Sequence, residues 1–167
     1  MVELPGRSWK FGDNVSTDEI SPGRYMSLRS NLPELAKHTL EDARSDFPSG
    51  VKQGDFVVGG KNFGMGSSRE QAPLVIKMVG VRAVIANSFA RIFYRNAINI
   101  GLPAVVVDTS MISEGDILDL DLSGGRILNL TKNQQLSFPK MSKTMEAILN
   151  EGGLLAYVEK YGDLQLA

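Results

Sequence analysis

The chain has 167 residues, a formal net charge of −1, no cysteine and a single histidine, which excludes disulfides, a cysteine nucleophile, an iron–sulfur cluster held by this chain alone and a histidine-rich metal site. Hydrophobic residues at 43% and charged residues at 22% are ordinary for a globular protein, and the length fits one domain over residues 1–167. Lysine and arginine form no basic patch, which argues against nucleic acid; the lack of a long apolar run or a signal-type segment argues against a membrane and makes the cytoplasm the expected location.

Residues 7–12, RSWKFG, alternate in polarity and read as a strand entering a turn at Gly12-Asp13-Asn14. Residues 13–32 are polar and punctuated by glycine and proline, and read as a long loop offering Asp18, Arg24 and Arg29. A loop of this length in a compact domain is usually functional or mobile; the plainer reading is a solvated connector. Residues 32–43 have helical spacing, with Leu32, Leu35, Ala36, Thr39, Leu40 and Ala43 on one face and Pro33 suited to the first turn. His38 lies off that face and reads as a surface residue. Residues 54–60, 81–86 and 102–108 read as short buried strands. Between them, 71–80 reads as a buried helix stopped by Gly80, and 87–101 as a helix capped at Asn87 or Ser88. This strand–helix alternation predicts parallel crossovers with helices on the sheet faces. Phe89, Phe93 and Ile98 face inward on the second helix, while Arg91 and Arg95 read as structural or subunit-contact residues. Trp9 and Phe11 read as core. Residues 115–139 alternate, with turns near Ser123-Gly124-Gly125 and Lys132-Asn133, and predict a β-meander. Two helices, 142–153 and a short last one, follow.

The stretch GKNFGMGSSREQAP, residues 60–73, carries the clearest chemistry. It fails as a phosphate loop, because Met65 stands where lysine is needed, and as a dinucleotide fingerprint, because position 69 is arginine. It fails as a nucleophile elbow, because Glu70 replaces the last glycine. Pro73 lacks an N–H and fits only the first turn of the following helix. Ser67, Ser68 and Arg69 therefore sit at a helix N-terminus, where free N–H groups and the positive dipole end suit an anion; arginine suits a carboxylate. A capping serine with a capping-box glutamate and a surface arginine is the simpler alternative.

STDEISPGRY, GKNFGMGSSREQAP and ANSFARIFYRNAINIGLPAVV together resemble small subunits of the aconitase superfamily, in the group of 3-isopropylmalate dehydratases and homoaconitases. The resemblance runs from about Trp9 to Tyr161. It implies an α/β swivelling β/β/α domain, three-layered, with a mixed sheet covered by helices. It implies a large partner subunit bearing a [4Fe-4S] cluster, in a heterodimer or heterotetramer, and a small di- or tricarboxylate substrate isomerised by dehydration and rehydration. By the same resemblance Ser67 is the base, as its alkoxide, and Asp18 lies near the substrate hydroxyl. Ser68, Arg69 and Arg29 hold substrate carboxylate, and Tyr25, Met26, Ser27 and Leu28 read the variable group. Met65 stands where many relatives carry cysteine, and Gln71 where many carry histidine. The 25–29 stretch is one residue longer than in relatives. Apolar Met26 and Leu28 suit an isopropyl wall, which favours 3-isopropylmalate, the leucine-biosynthesis reaction; Arg29 meeting an extra carboxylate would instead favour homocitrate-like acids, and dimethylmalate- and citramalate-type acids are further alternatives. A non-catalytic regulatory module and a free-standing carboxylate- or phosphate-binding protein are the readings from other classes.

Overall fold

The computed structural model describes residues 4–162. Among them, seven strands form one mixed sheet in the order β4-β3-β2-β1-β5-β6-β7. Strands β1 (Gly6–Lys10), β2 (Phe56–Val58), β3 (Ala83–Ala86) and β4 (Ala104–Val106) are parallel. Strands β5 (Ile117–Asp121), β6 (Arg126–Asn129) and β7 (Gln134–Ser137) continue antiparallel from β1. The β/β/α arrangement of a mixed sheet with helices, which the family resemblance implies, is present.

Period-2 alternation in the parallel strands feeds two cores. Trp9, Val57, Val84, Ala86 and Ala104 pack with apolar residues of the helices. Phe56, Val58, Ala83, Ile85 and Val105 pack instead with Leu118, Leu120, Ile127 and Phe138 of the antiparallel half. The central strands are therefore buried on both sides, which is why they read as continuous apolar runs. The apolar helix residues join the first of these cores and the meander roofs the second. The expected helices lie on one face of the parallel sheet, and the meander covers the other.

The crossover helices are α4 (Gln71–Met78) and α5 (Arg91–Asn99), and the chain's later part holds α6 (Lys143–Asn150) and α7 (Leu154–Tyr161). Among the described residues no helix is long and apolar enough to cross a membrane. Three segments depart from the sequence reading. Residues 13–32 are not an open loop. They hold α1 (Thr17–Ile20) and a 3-10 helix, Gly23–Leu28. The helix expected over 32–43 survives as α2 (Leu32–Ala36) only. The Leu40 N–H bonds the Ile20 carbonyl rather than the one four residues back, and the Thr39 hydroxyl takes the Ala36 carbonyl at 2.7 Å. Both contacts divert helix-ladder groups. The second crossover helix begins four residues after Asn87, because neither expected cap is available. The Asn87 side chain accepts from Thr109, and the Ser88 hydroxyl accepts from the Asn62 N–H. A further helix, α3 (Phe47–Gly50), left no signal in the sequence and buries Phe47 against Trp9 and Phe11.

Candidate functional site

The serine–arginine loop threads between two other segments at the C-terminal ends of the parallel strands. On one side the Phe63 N–H bonds the Ser88 carbonyl and the Ala90 N–H bonds the Phe63 carbonyl, at 3.0 and 2.9 Å. On the other, the Gly64 N–H bonds the Val15 carbonyl and the Thr17 N–H bonds the Met65 carbonyl, at 2.7 and 2.8 Å. Phe63, Phe89 and Phe93 pack edge-on and stacked beside it. Gly64 has φ of +83°, and a Cβ there would lie 2.2 Å from the Phe93 ring. Only glycine satisfies both conditions.

The loop's backbone is anchored while its hydroxyls are not. The buried Thr17 hydroxyl donates to the Ser67 carbonyl at 2.8 Å. Ser67 and Ser68 are exposed, and neither hydroxyl bonds any described residue. Glu70, in helical conformation, is the N-cap of α4, and no described side chain caps that helix. The capping-serine reading is thereby corrected. The capping box at this site belongs to α1, where the Ser16 hydroxyl accepts from the Glu19 N–H and the Glu19 carboxylate accepts from the Ser16 N–H. That box fixes the turn presenting Thr17 and Asp18.

Arg69 is held from the same segment. Its Nη1 donates to Asp18 Oδ1 at 3.0 Å and to the Ser21 carbonyl at 2.7 Å. Asp18 Oδ1 also accepts the Gly23 N–H at 3.0 Å. Gly23 is tightly placed, because a Cβ would come within 2.9 Å of Asp18 Oδ1. The guanidinium is thus oriented by a carboxylate and a carbonyl before any ligand arrives.

These segments enclose a cavity of about 300 Å³ whose lining includes Thr17, Ser67, Ser68, Arg69, Arg91 and Asn96. The structure therefore unites Ser67, Ser68 and Arg69, and links Asp18 to them through Arg69. It does not bring Arg29 or residues 25–28 to this cavity's lining. Tyr25 stacks on His38 with ring centroids 3.6 Å apart, and its hydroxyl donates to Glu41. The Arg24 guanidinium also lies over the Tyr25 ring, at 4.7 Å, and binds Glu41 and Asp42. It holds the Asp42 carboxyl below the ordinary aspartate range. Tyr25 and Leu28 pack against the core, whereas Ser27 and Arg29 are exposed. His38, read as a surface residue, is half-buried in this stack.

Thr17, Arg91 and Asn96 were not foreseen as site residues. Thr17 lies inside the quoted STDEIS stretch, but a hydroxyl reaching another loop's carbonyl leaves no periodic signal. The chain offers no thiolate to an iron–sulfur cluster, having no cysteine. Among the described residues no group of three or more metal-binding side chains is assembled. These donors do not fit a cluster bound by this chain itself.

The sequence profile of the Aconitase C-terminal domain matches residues 13–109. The chain is 57% identical over 165 residues to the 3-isopropylmalate dehydratase small subunit 2 of Archaeoglobus fulgidus, covering 99% of this chain and 100% of that one. It is 52% identical to the methanogen homoaconitase small subunit of Methanothermobacter thermautotrophicus, covering 94% and 91%. The crystal structure of 3-isopropylmalate dehydratase from Methanocaldococcus jannaschii superposes with a TM-score of 0.90 at 46% identity, covering 95% of each chain. With a family profile over the site-bearing half and end-to-end relatives at this identity, the chain belongs to the Aconitase C-terminal domain family, among the small subunits of 3-isopropylmalate dehydratases and homoaconitases.

Proposed function

We propose that this chain is the small subunit of a two-chain hydro-lyase that interconverts 2-isopropylmalate and 3-isopropylmalate, the leucine-biosynthesis reaction. The carrying observation is the Ser67-Ser68-Arg69 turn, with its backbone tied by Thr17, its guanidinium set by Asp18, and two unbonded hydroxyls at an open cavity. Ser67 takes the proton from the substrate carbon next to the one that bears the hydroxyl, and returns a proton on rehydration at the other carbon. A serine is a poor base until its anion is stabilised. The positive start of α4 and the Arg69 guanidinium lower the cost of that anion. Arg69 and Ser68 hold a substrate carboxylate, and Asp18 orients Arg69 beside the proton path. Met26, half-buried beside the anchored Tyr25, and the exposed Arg29 lie outside this cavity's lining, so any share they take in reading the variable group falls to the assembled pair.

The partner is a large subunit bearing a [4Fe-4S] cluster, in a heterodimer or heterotetramer. When bound there, the cluster supplies Lewis acidity toward the departing hydroxyl. This chain's share is the base and the carboxylate grip.

The test is reconstitution with a cluster-bearing large subunit, assayed against 2-isopropylmalate, homocitrate, citrate, dimethylmalate and citramalate. Activity with 2-isopropylmalate above the others is expected. Ser67→Ala should lower turnover by about 10²–10⁴-fold while the two chains still co-elute. Undiminished turnover in that variant removes Ser67 as the base, and a preference for homocitrate replaces the assigned substrate.

A further inference from the structure

Among the described residues two charged side chains line the cavity, and both are guanidinium groups: Arg69 and Arg91. They differ in commitment. Arg69 already donates to Asp18 and to the Ser21 carbonyl, and its side chain is 20% exposed. Arg91, the first residue of α5, is exposed and makes no hydrogen bond, ion pair or ring contact with any described residue. No described carboxylate lines the cavity to neutralise it. Arg95, one turn further along α5, is equally exposed but is not part of the lining.

A diacid brings two negative groups, and one pre-oriented guanidinium satisfies one of them. A carboxylate drawn into a partly enclosed site without a cationic donor loses hydration that nothing replaces. The second cation present in the lining is the uncommitted one on α5. We infer that Arg91 binds the second carboxylate of the diacid, with Arg69 holding the first, so that α5 supplies a substrate-binding residue to this active site. The inference rests on the hydro-lyase reading and deepens it. It moves Arg91 from the structural or subunit-contact role read from its helical spacing with Arg95. An arginine that merely faces solvent or the large subunit would not distinguish one substrate carboxylate from the other.

The test uses the reconstituted pair with 2-isopropylmalate, and the two monoamides of 2-isopropylmalate as competitive inhibitors. Arg91→Ala should raise KM about 10- to 100-fold with kcat within a few-fold of wild type. Arg91→Lys should recover part of the loss, since it keeps the charge without the fork. Arg95→Ala, the control for charge lost from the same helix, should leave KM unchanged. Wild type should bind both monoamides more weakly than the diacid. Arg91→Ala should erase that discrimination for one monoamide and keep it for the other, because Arg69 still reads its own carboxylate. An unchanged KM in Arg91→Ala and in Arg91→Gln overturns the inference. So does an equal loss for the diacid and both monoamides, or weakened assembly with wild-type KM at saturating large subunit. A wild-type pair inert toward every hydroxy diacid overturns the hydro-lyase reading and this inference with it, whereas an active wild type with an indifferent Arg91 overturns the inference alone.

Discussion

Thr17 and Ser67 are 50 residues apart in the chain, yet the Thr17 hydroxyl donates to the Ser67 carbonyl at 2.8 Å. This bond ties the short capped helix α1 to the loop that bears the proposed base. Thr17 is 4% exposed, so water does not compete for its hydroxyl.

Replacing that threonine with valine keeps the shape and removes the donor. Thr17→Val should destabilise the chain by about 1 kcal/mol, the net worth of one neutral hydrogen bond. Its effect on catalysis should exceed its effect on stability, because a loop shifted by a fraction of an ångström misplaces the base. The expected result is a kcat lower by about 10-fold with KM little changed. Urea unfolding and steady-state kinetics of the reconstituted pair measure the two effects separately.

Gly64→Ala tests the backbone of the same loop. The residue has φ of +83°, and the added methyl would meet Phe93 Cγ at 2.2 Å. Strain in the left-handed region and overpacking against a buried ring should together cost about 3 kcal/mol or more. Reversible urea unfolding is the measure, and a variant as stable as wild type would show that the Phe93 ring gives way. Gly12→Ala serves as the comparison and should change stability little, because a methyl added there meets nothing within 4 Å and the backbone is not left-handed.

Asp116 tests the far side of the fold. Burial works against its carboxylate, but the Ser113 N–H, the Asn129 amide and Lys132 outweigh burial and hold its pKa below the ordinary value of 3.8. A carboxyl with a depressed folded pKa adds stability that is full above its unfolded pKa and is lost as pH falls toward the folded one. The stability advantage of wild type over Asp116→Asn should therefore be constant above the ordinary aspartate value and shrink below it. Urea unfolding across a pH series checks this; an advantage that grows on acidification would reverse the sign.

Much of the fold was legible because its signals are local. The apolar runs around Val57, Val84 and Val105 announced strands buried on both faces. Pro73 alone located the start of α4, since a residue without an N–H has few other places in a helix. Ser142 and its hydrogen bond to the Met145 N–H appeared as foreseen from the serine start. What failed was non-local. Nothing near Leu40 indicates that its N–H belongs to Ile20, and nothing near Asn87 indicates that its side chain belongs to Thr109. At the site, a serine–arginine turn before a helix could be read from composition and spacing. The partnership of Asp18 with Arg69 could not, because it spans 51 positions; the resemblance to a family picked out Asp18. Arg91 lay in plain view within FARIFYRN, but spacing alone made it a twin of Arg95, and only the cavity separates them.

The stack at Tyr25 has a consequence for how specificity could change hands among such proteins. With the ring sandwiched against His38, its hydroxyl tied to Glu41 and Leu28 turned into the core, two of the five positions from 25 to 29 serve as pegs. Met26, Ser27 and Arg29 are left as interchangeable tips on a fixed mount. On the proposed role of residues 25–29 in reading the variable group, a new preference among hydroxy acids would need only those three side chains swapped, with no rebuilding of the scaffold beneath them.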